Sequence, residues 1–423
     1  MSPEWLTHNG TLLPSTLVLS HDEQLDRLAA SCPQAVPAAL VAGDPCLDRM
    51  RASHGLRSTY RHALGVRAGQ KLILVSSTWG RAGLFGANGD VVRRLRDAFP
   101  LDECAVALAL HPNTWAGHSH WQIRLWLEEC SRAGVIVLPP EEGWRAAVVA
   151  ADIVVGDHGS VTFYAAALGR PVLLAAAPKD TVAPDSAVGR FLDVAPQLDS
   201  RRSLREQIDD VVRKGVTPTV SDIARLATSV PGRSAALLRT EFYRLLDLPE
   251  PDTEAAFDAV PAPDTDLPSV PHTWVSVALM PKRRTLEATV IRRVAGKASP
   301  GNDSAHLVVS TRSPRAGMVE AAGVLVNDRK GHAAEWIAET LDALPGLEVA
   351  TMATSATRWW IGFRQGTLIT VDCEAESGPL WASVLYQWSV EGRDLSTVPR
   401  RITIRSGPVS WTARVRHRGA LPR

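Results

Sequence analysis

Hydrophobic and polar positions follow one rhythm before residue 248 and another after residue 271. In the first stretch, short unbroken apolar runs alternate with segments of helical spacing, the pattern of a parallel sheet covered by helices. Lys71 to Val75 and Cys104 to Leu110 predict strands, and Asp90 to Phe99 places Val91, Val92, Leu95 and Ala98 on one helix face. From Ala151 the order is an apolar strand, a polar turn of Asp157, His158, Gly159 and Ser160, an Ala-rich helix stopped by Gly169, and a second strand after Pro171. That is a βαβ unit. Upstream, Leu12 to Leu19 predicts one strand and Asp22 to Ala30 one helix, while Ser221 to Leu248 has helical spacing throughout.

Between residues 249 and 271 lie six prolines and six acidic residues with no lysine or arginine. Frequent proline forbids regular structure and uncompensated acid favours water, so a solvated, semi-extended linker is expected. Beyond it, Trp274 to Met280, Glu287 to Val294 and His306 to Ser310 alternate as strands do, and Gly331 to Leu344 predicts an amphipathic helix. Leu347 to Met352, Trp359 to Phe363 and Thr367 to Cys373 read as a meander. Leu380 to Val390 predicts a helix, and Arg401 to Arg405 and Val409 to Val415 predict closing strands. The expectation is an α+β domain in which Trp359 and Trp360 point to opposite faces.

Composition narrows the function. Lys plus Arg number 46 against 45 Asp plus Glu, so the overall charge gives nucleic-acid binding no support and a small anionic ligand fits better. Cys32, Cys46, Cys104, Cys130 and Cys373 are odd in number and widely spaced, as expected of buried thiols in a reducing compartment. The start Met1-Ser2-Pro3-Glu4-Trp5 lacks signal-peptide features, and no apolar run of eighteen residues occurs, so a cytoplasmic protein is expected. His118 and His120 lack carboxylate or cysteine neighbours and read as a surface loop rather than a metal site; no metal and no cofactor is expected. Arg312, Arg315, Arg329 and Lys330 read as scattered surface charge, with a basic rim as the alternative.

Three strands end in polar clusters: Ser76-Ser77-Thr78-Trp79-Gly80-Arg81, His111-Pro112-Asn113 and Asp157 to Ser160. In an open parallel sheet all three fall in the crevice beyond the carboxyl ends of the strands, where ligands bind. The turn before the Ala-rich helix also offers backbone amides suited to a phosphate, although helix capping alone would explain Asp157 or Ser160.

With Ser77-Thr78-Trp79, His111-Pro112 and Ala151-Asp152 followed by Asp157 to Ser160, this order of motifs resembles the donor-binding half of GT-B transferases, and most closely the CDP-glycerol glycerophosphotransferase family of wall teichoic acid synthesis. UDP-N-acetylglucosamine 2-epimerases share that architecture, and Val41 to Asp48 looks like the segment at which such folds pass from first to second domain. The family turn reads Asp-Tyr-Ser-Ser, so this chain has one hydroxyl fewer. The resemblance implies an α/β fold with a GT-B-like Rossmann donor domain at residues 66–248. Residues 1–65 would be an incomplete N-terminal domain, 249–271 the linker and 272–423 a separate α+β domain of unknown role. It further implies a nucleotide-activated donor of the CDP-glycerol type, His111 as catalytic residue, and Ser77, Thr78, Arg81, His158, Gly159, Ser160 and Thr162 as substrate contacts. Asp157 would orient the turn, and Asp180 is a lesser candidate for the donor ribose. The acceptor implied is a cell-envelope polymer, which allows a membrane-associated acceptor and a peripheral location at the inner face of the membrane; a partner chain could complete the N-terminal domain. Two other readings stay open: a non-catalytic nucleotide-binding or interaction protein, and a UDP-sugar 2-epimerase-like enzyme.

Overall fold

A computed structural model of the chain describes residues 3–296, 305–329, 331–374 and 377–421. The N-terminal residues form two small sheets, β1 (Thr7–His8) with β2 (Thr11–Leu12) and β3 (Leu17–Leu19) with β4 (Ala39–Val41). The strand expected over Leu12 to Leu19 is therefore split: Pro14 has no N–H to give a sheet. Helix Glu23–Ser31 covers β3 and β4, with Leu28, Cys32 and Ala35 buried beneath it.

The next five strands are β5 (Lys71–Ser77), β6 (Cys104–Leu110), β7 (Val135–Val137), β8 (Ile153–Gly156) and β9 (Val172–Leu174). They build one parallel sheet in the order β7-β6-β5-β8-β9. Every residue of β6 and β8 is buried, which is why these strands are continuous apolar runs. Two cores flank the sheet, one including Leu72, Leu74 and Val154, the other Ile73, Val75 and Val155. The order reverses at β5, with β6 on one side and β8 on the other. This reversal opens a crevice at the strand ends.

The helical stretch expected over Ser221 to Leu248 is two α-helices, Pro218–Ala224 and Ser234–Leu245, because Pro231 and the left-handed Gly232 (φ +77°) interrupt it. The second helix turns back on the N-terminal residues: Thr16 donates to Glu241, and buried Asp48 accepts from Gly232 N (2.7 Å) and Ser234 Oγ (2.6 Å).

Residues 248–271 form neither helix nor strand, yet they are not a free linker. Arg49 donates to the carbonyls of Asp258 and Ala259, Tyr60 Oη donates to Val260 O at 2.5 Å, and Val260 N donates to Ser53 Oγ at 2.8 Å. Val260 is buried in the same core as Leu72. Composition predicted a solvated segment; backbone groups, the buried Val260, the Thr265 hydroxyl donating to Val137 O, and the Glu250 carboxylate, which accepts from Arg239 (2.7 Å) and Thr240 (2.8 Å), pin it down, while its other five acidic residues are exposed.

Beyond it come β10 (His272–Pro281), β11 (Leu286–Val294), β12 (Ala305–Ser310), β13 (Val324–Asn327), β14 (Val349–Ser355), β15 (Arg358–Phe363), β16 (Thr367–Asp372), β17 (Arg401–Ser406) and β18 (Val409–Ala420). The expected meander β14-β15-β16 is present, but the sheet closes into a barrel, β10-β11-β17-β18-β16-β15-β14-β13-β12. Helix Gly378–Val390 is buried nearly all round, as an interior helix must be, and packs against β10, β11, β13, β14 and β15. Its core includes Trp381, Leu385 and Trp388 with Val275, Ile361, Ile404 and Val415 from strands around the barrel. Gly378 begins the helix where a Cβ would overlap the Trp359 ring. Trp360 points the other way, beneath the outer helix Ala333–Ala343. Arg312 and Arg315 reach Asp328 and Glu129, so they do not form a common rim; Arg329 is exposed, and Lys330 lies outside the described residues.

Sheet and barrel meet at Asp102, 2% exposed. Its carboxylate accepts from Arg67 (2.9 Å), Arg292 (2.5 and 2.9 Å) and Ser406 Oγ (2.7 Å), while Leu101 N donates to Arg292 O. Burial pushes the Asp102 pKa up, but the Arg292 hydrogen bonds and charge, with Ser406 and Arg67, outweigh it and hold the carboxyl below its ordinary value.

Candidate functional site at the strand ends

Three loops leave the crevice side of the sheet. The loop after β5 folds back into the short helix Leu84–Ala87. Its tightness depends on glycine, since a Cβ on Gly83 would overlap Thr78 O and one on Gly86 would overlap Gly80 O. Ser77, itself buried, closes the turn by donating to Thr78 O and accepting from Phe85 N, both at 2.8 Å.

Asp157 fastens this loop to the one after β8. Fully buried, it accepts from Thr78 N (2.8 Å) and Leu84 N (2.7 Å) on one oxygen and from Gly159 N (2.9 Å) on the other. Three amides thus converge on one carboxylate, each bond charge-assisted. The loops pack so closely that a Cβ on Gly159 would lie 3.4 Å from Thr78 Cβ and 3.0 Å from Asp157 Oδ1. Sequence reasoning placed Asp157 here but missed Leu84 as a partner; the closely spaced Gly80, Gly83 and Gly86 were the available signal of a folded loop.

The third loop starts at His111, whose N donates to Ser77 O at 3.0 Å. His111 Nδ1 accepts from Asn113 N at 3.1 Å, capping helix Pro112–His118. A nitrogen that accepts carries no proton, so in the neutral ring the proton sits on Nε2. Ser77, Thr78, His111, Asp157 and Gly159 are therefore brought together.

Helix Ser160–Ala167 begins at this meeting point, with Gly159 as its N-cap and Ser160 exposed. Of its opening amides, Gly159 N is taken by Asp157 and Thr162 N donates to Gly159 O at 3.2 Å, which leaves those of Ser160 and Val161 without a partner in the helix. Thr162 is fully buried, and a Cβ on Gly156 would overlap its Oγ1, so its side chain packs on the strand end beneath the crevice. His158 is half-buried, and its Nδ1 lies out of solvent with no hydrogen-bond partner among the described residues. Arg81 is exposed on the loop after β5, and Asp180 is exposed beyond β9. The far side of the helix is fixed by Tyr164, whose hydroxyl donates to Asp44 Oδ2 at 2.7 Å. Burial, with the Asp44 charge, pushes the Tyr164 pKa up, so it stays a protonated donor.

His118 and His120 are not in a loop: they end and begin successive helices that meet at Ser119 (φ +58°), and both are exposed. Among the described residues no group of three or more His, Cys, Asp or Glu is placed to hold a metal ion. No helix among them is long and apolar enough to cross a membrane. The cysteines are free, with Cys32, Cys104 and Cys373 buried and Cys46 and Cys130 half-buried. Two cavities lie away from the crevice, about 950 Å³ on the barrel wall and about 300 Å³ where the barrel meets the sheet.

No family model and no curated protein matches the chain. Among solved structures, the wall teichoic acid polymerase TagF is 14% identical over 57% of this chain and 63% of its own, with a TM-score of 0.39. UDP-GlcNAc 2-epimerase from Neisseria meningitidis bound to UDP-GlcNAc is 14% identical over 54% of this chain and 61% of its own, with a TM-score of 0.35. Anabaena Alr3699/HepE in complex with UDP-glucose is 17% identical over 56% and 65%, with a TM-score of 0.29. The chain spans about three fifths of the length of these proteins. Likeness this distant adds no argument to the geometry.

Proposed function

We propose that the chain is a GT-B-like transferase that moves a glycerophosphate or sugar unit from a nucleotide-activated donor, of the CDP-glycerol type, to a cell-envelope polymer. The observation that carries this reading is Asp157, which gathers the amides of Thr78, Leu84 and Gly159 and so joins two strand-end loops at the point where the sheet order reverses. That is the position at which open parallel sheets bind nucleotides.

In the transfer, an acceptor hydroxyl oxygen bonds to the phosphorus of the glycerophosphate, the bond from that phosphorus to the bridging oxygen breaks, and CMP leaves with the electron pair. The hydroxyl proton passes to solvent. Charge builds on the departing oxygen, and preorganised donors aimed there lower the barrier. His111 offers Nε2–H because Asn113 occupies Nδ1. Ser160 and the opening amides of its helix hold the diphosphate, with Thr78, His158 and Gly159 lining the crevice and Arg81 reaching from the loop. Ser77 and Thr162 support these groups from below. Charge-assisted hydrogen bonds of about 1.5–3 kcal/mol each, with about 0.3–1 kcal/mol from the helix terminus, reach the roughly 8 kcal/mol of micromolar binding with three or four contacts.

Non-catalytic nucleotide binding is the second reading. The Asn113 contact favours it, since it leaves the His111 imidazole without a free basic nitrogen. Incubation with CDP-glycerol and a poly(glycerol phosphate) acceptor separates the two. The transferase reading expects acceptor-dependent CMP release that falls on the order of a hundredfold in His111→Ala. Donor binding without CMP release would leave the binding role, and an altered nucleotide sugar from UDP-N-acetylglucosamine would point to epimerisation.

A further inference from the structure

The near-neutral balance of the whole chain conceals a segregation of charge. Residues 1–271 hold 26 Lys and Arg against 32 Asp and Glu, whereas residues 272–423 hold 20 against 13. From Arg400 to Arg423 there are seven arginines and no acidic residue. Most of them lie on β17 and β18, where inward positions such as Ile402, Ile404, Trp411, Ala413 and Val415 are buried and the arginines stand outside.

Register aligns them. Arg401 is directly opposite Arg414, Arg414 is opposite Asp372 on β16, and Asp372 is opposite Arg358 on β15. The single acid in this row is already engaged, by Arg358 at 2.7 Å and by Arg416 at 3.0 Å. Arg401 and Arg414 thus face each other as like charges across a strand pair, an arrangement that costs stability unless an anion joins them. The same residues, with Arg400, Arg416 and His417, line the cavity of about 950 Å³, which is open to solvent.

We propose that this groove binds the phosphodiester backbone of the acceptor polymer, a poly(glycerol phosphate)-like chain; the identity of that polymer rests on the transferase reading above. A row of cations across neighbouring strands suits a repeating anion better than a single phosphate. The lining includes no aromatic side chain except His417, so it has no platform on which nucleic-acid bases would stack.

The test uses the full chain and a synthetic poly(glycerol phosphate) oligomer, with oligo(dT) of equal charge and phosphatidylglycerol vesicles as the other arms. Arg401→Ser/Arg414→Ser should weaken oligomer binding at least tenfold and lower the slope of log affinity against log salt by about two. Asp372→Asn, which frees two arginines, should tighten it, an effect that misfolding would not imitate. Arg201→Ser/Arg213→Ser, removing equal charge from the sheet half, should change affinity less than threefold. Equal losses in both double variants, or tighter binding of oligo(dT) or vesicles than of the oligomer, would overturn the proposal. CDP-glycerol binding measured on the same samples separates the readings: donor binding without oligomer binding sinks the groove alone, and oligomer binding without donor binding sinks the transferase reading.

Discussion

In the sheet half, β6 and β8 are buried on both faces and polar chemistry is confined to the strand ends; in the barrel, β18 buries alternate residues and presents the others to solvent. The contrast follows from what covers each sheet. Helices on both sides of a parallel sheet leave only its ends open to a ligand, whereas a barrel filled by the helix Gly378–Val390 leaves available the part of its outer wall, including β17 and β18, that the helix Ala333–Ala343 does not cover. The two candidate binding regions accordingly differ in kind: a small crevice built from loop amides, and a broad charged face.

The largest expected effect comes from breaking the joint between the halves. Asp102→Ala leaves Arg67 and Arg292 close together without their shared carboxylate, and chemical denaturation should register a loss of about 3–5 kcal/mol. Because the Asp102 pKa lies below its ordinary value of 3.8, its contribution is complete above about pH 4 and lost as pH falls through the lower native value. Thermal unfolding of Asp102→Asn should show a weaker pH dependence than wild type in that acid range.

Within the sheet half, Asp157→Ala removes the common acceptor of three amides. It should cost about 2–4 kcal/mol and, with that organisation lost, reduce donor affinity at least tenfold, read by denaturation and calorimetry. In the barrel, burial pushes the His306 pKa down to about 4. The unfolded chain binds a proton near pH 6.5 that the native ring refuses, so barrel stability should fall between about pH 6.5 and 4, by about 3 kcal/mol at most. His306→Phe, packed against Tyr386, should flatten that part of the stability profile. The smallest effect is a gain: Arg414→Thr relieves the like charge opposite Arg401 and should stabilise the barrel by about 0.2–1 kcal/mol in thermal unfolding, while weakening binding of the polyanion.

The same contrast explains what could be read from the residues. β5, β6 and β8 were legible because strands buried on both faces are unbroken apolar runs, and His111 and Asp157 stood out as polar residues just past them. Barrel strands were legible one at a time from their alternation, but closure was not. Pairings such as β11 with β17, more than a hundred residues apart, leave no local mark. The interior position of Gly378–Val390 was hidden as well, since a uniformly apolar helix does not reveal what surrounds it. Composition misled over residues 249–271, where acid and proline suggested solvent but Tyr60, Arg49 and Ser53 bind the backbone itself. Nor did any pattern single out Asp102, whose partners come from distant segments.

The central claim is a donor site at the ends of β5, β6 and β8, and calorimetric titration with CDP-glycerol, CMP, UDP and UDP-N-acetylglucosamine tests it most directly, on wild type and on His111→Ala/Ser160→Ala. Both substituted side chains lie at the rim of the crevice, so the variant should fold as wild type does. Selective micromolar binding in wild type that is lost in the variant is the predicted result. Absence of binding by every nucleotide in a folded sample, or affinity undiminished in the variant, would contradict it.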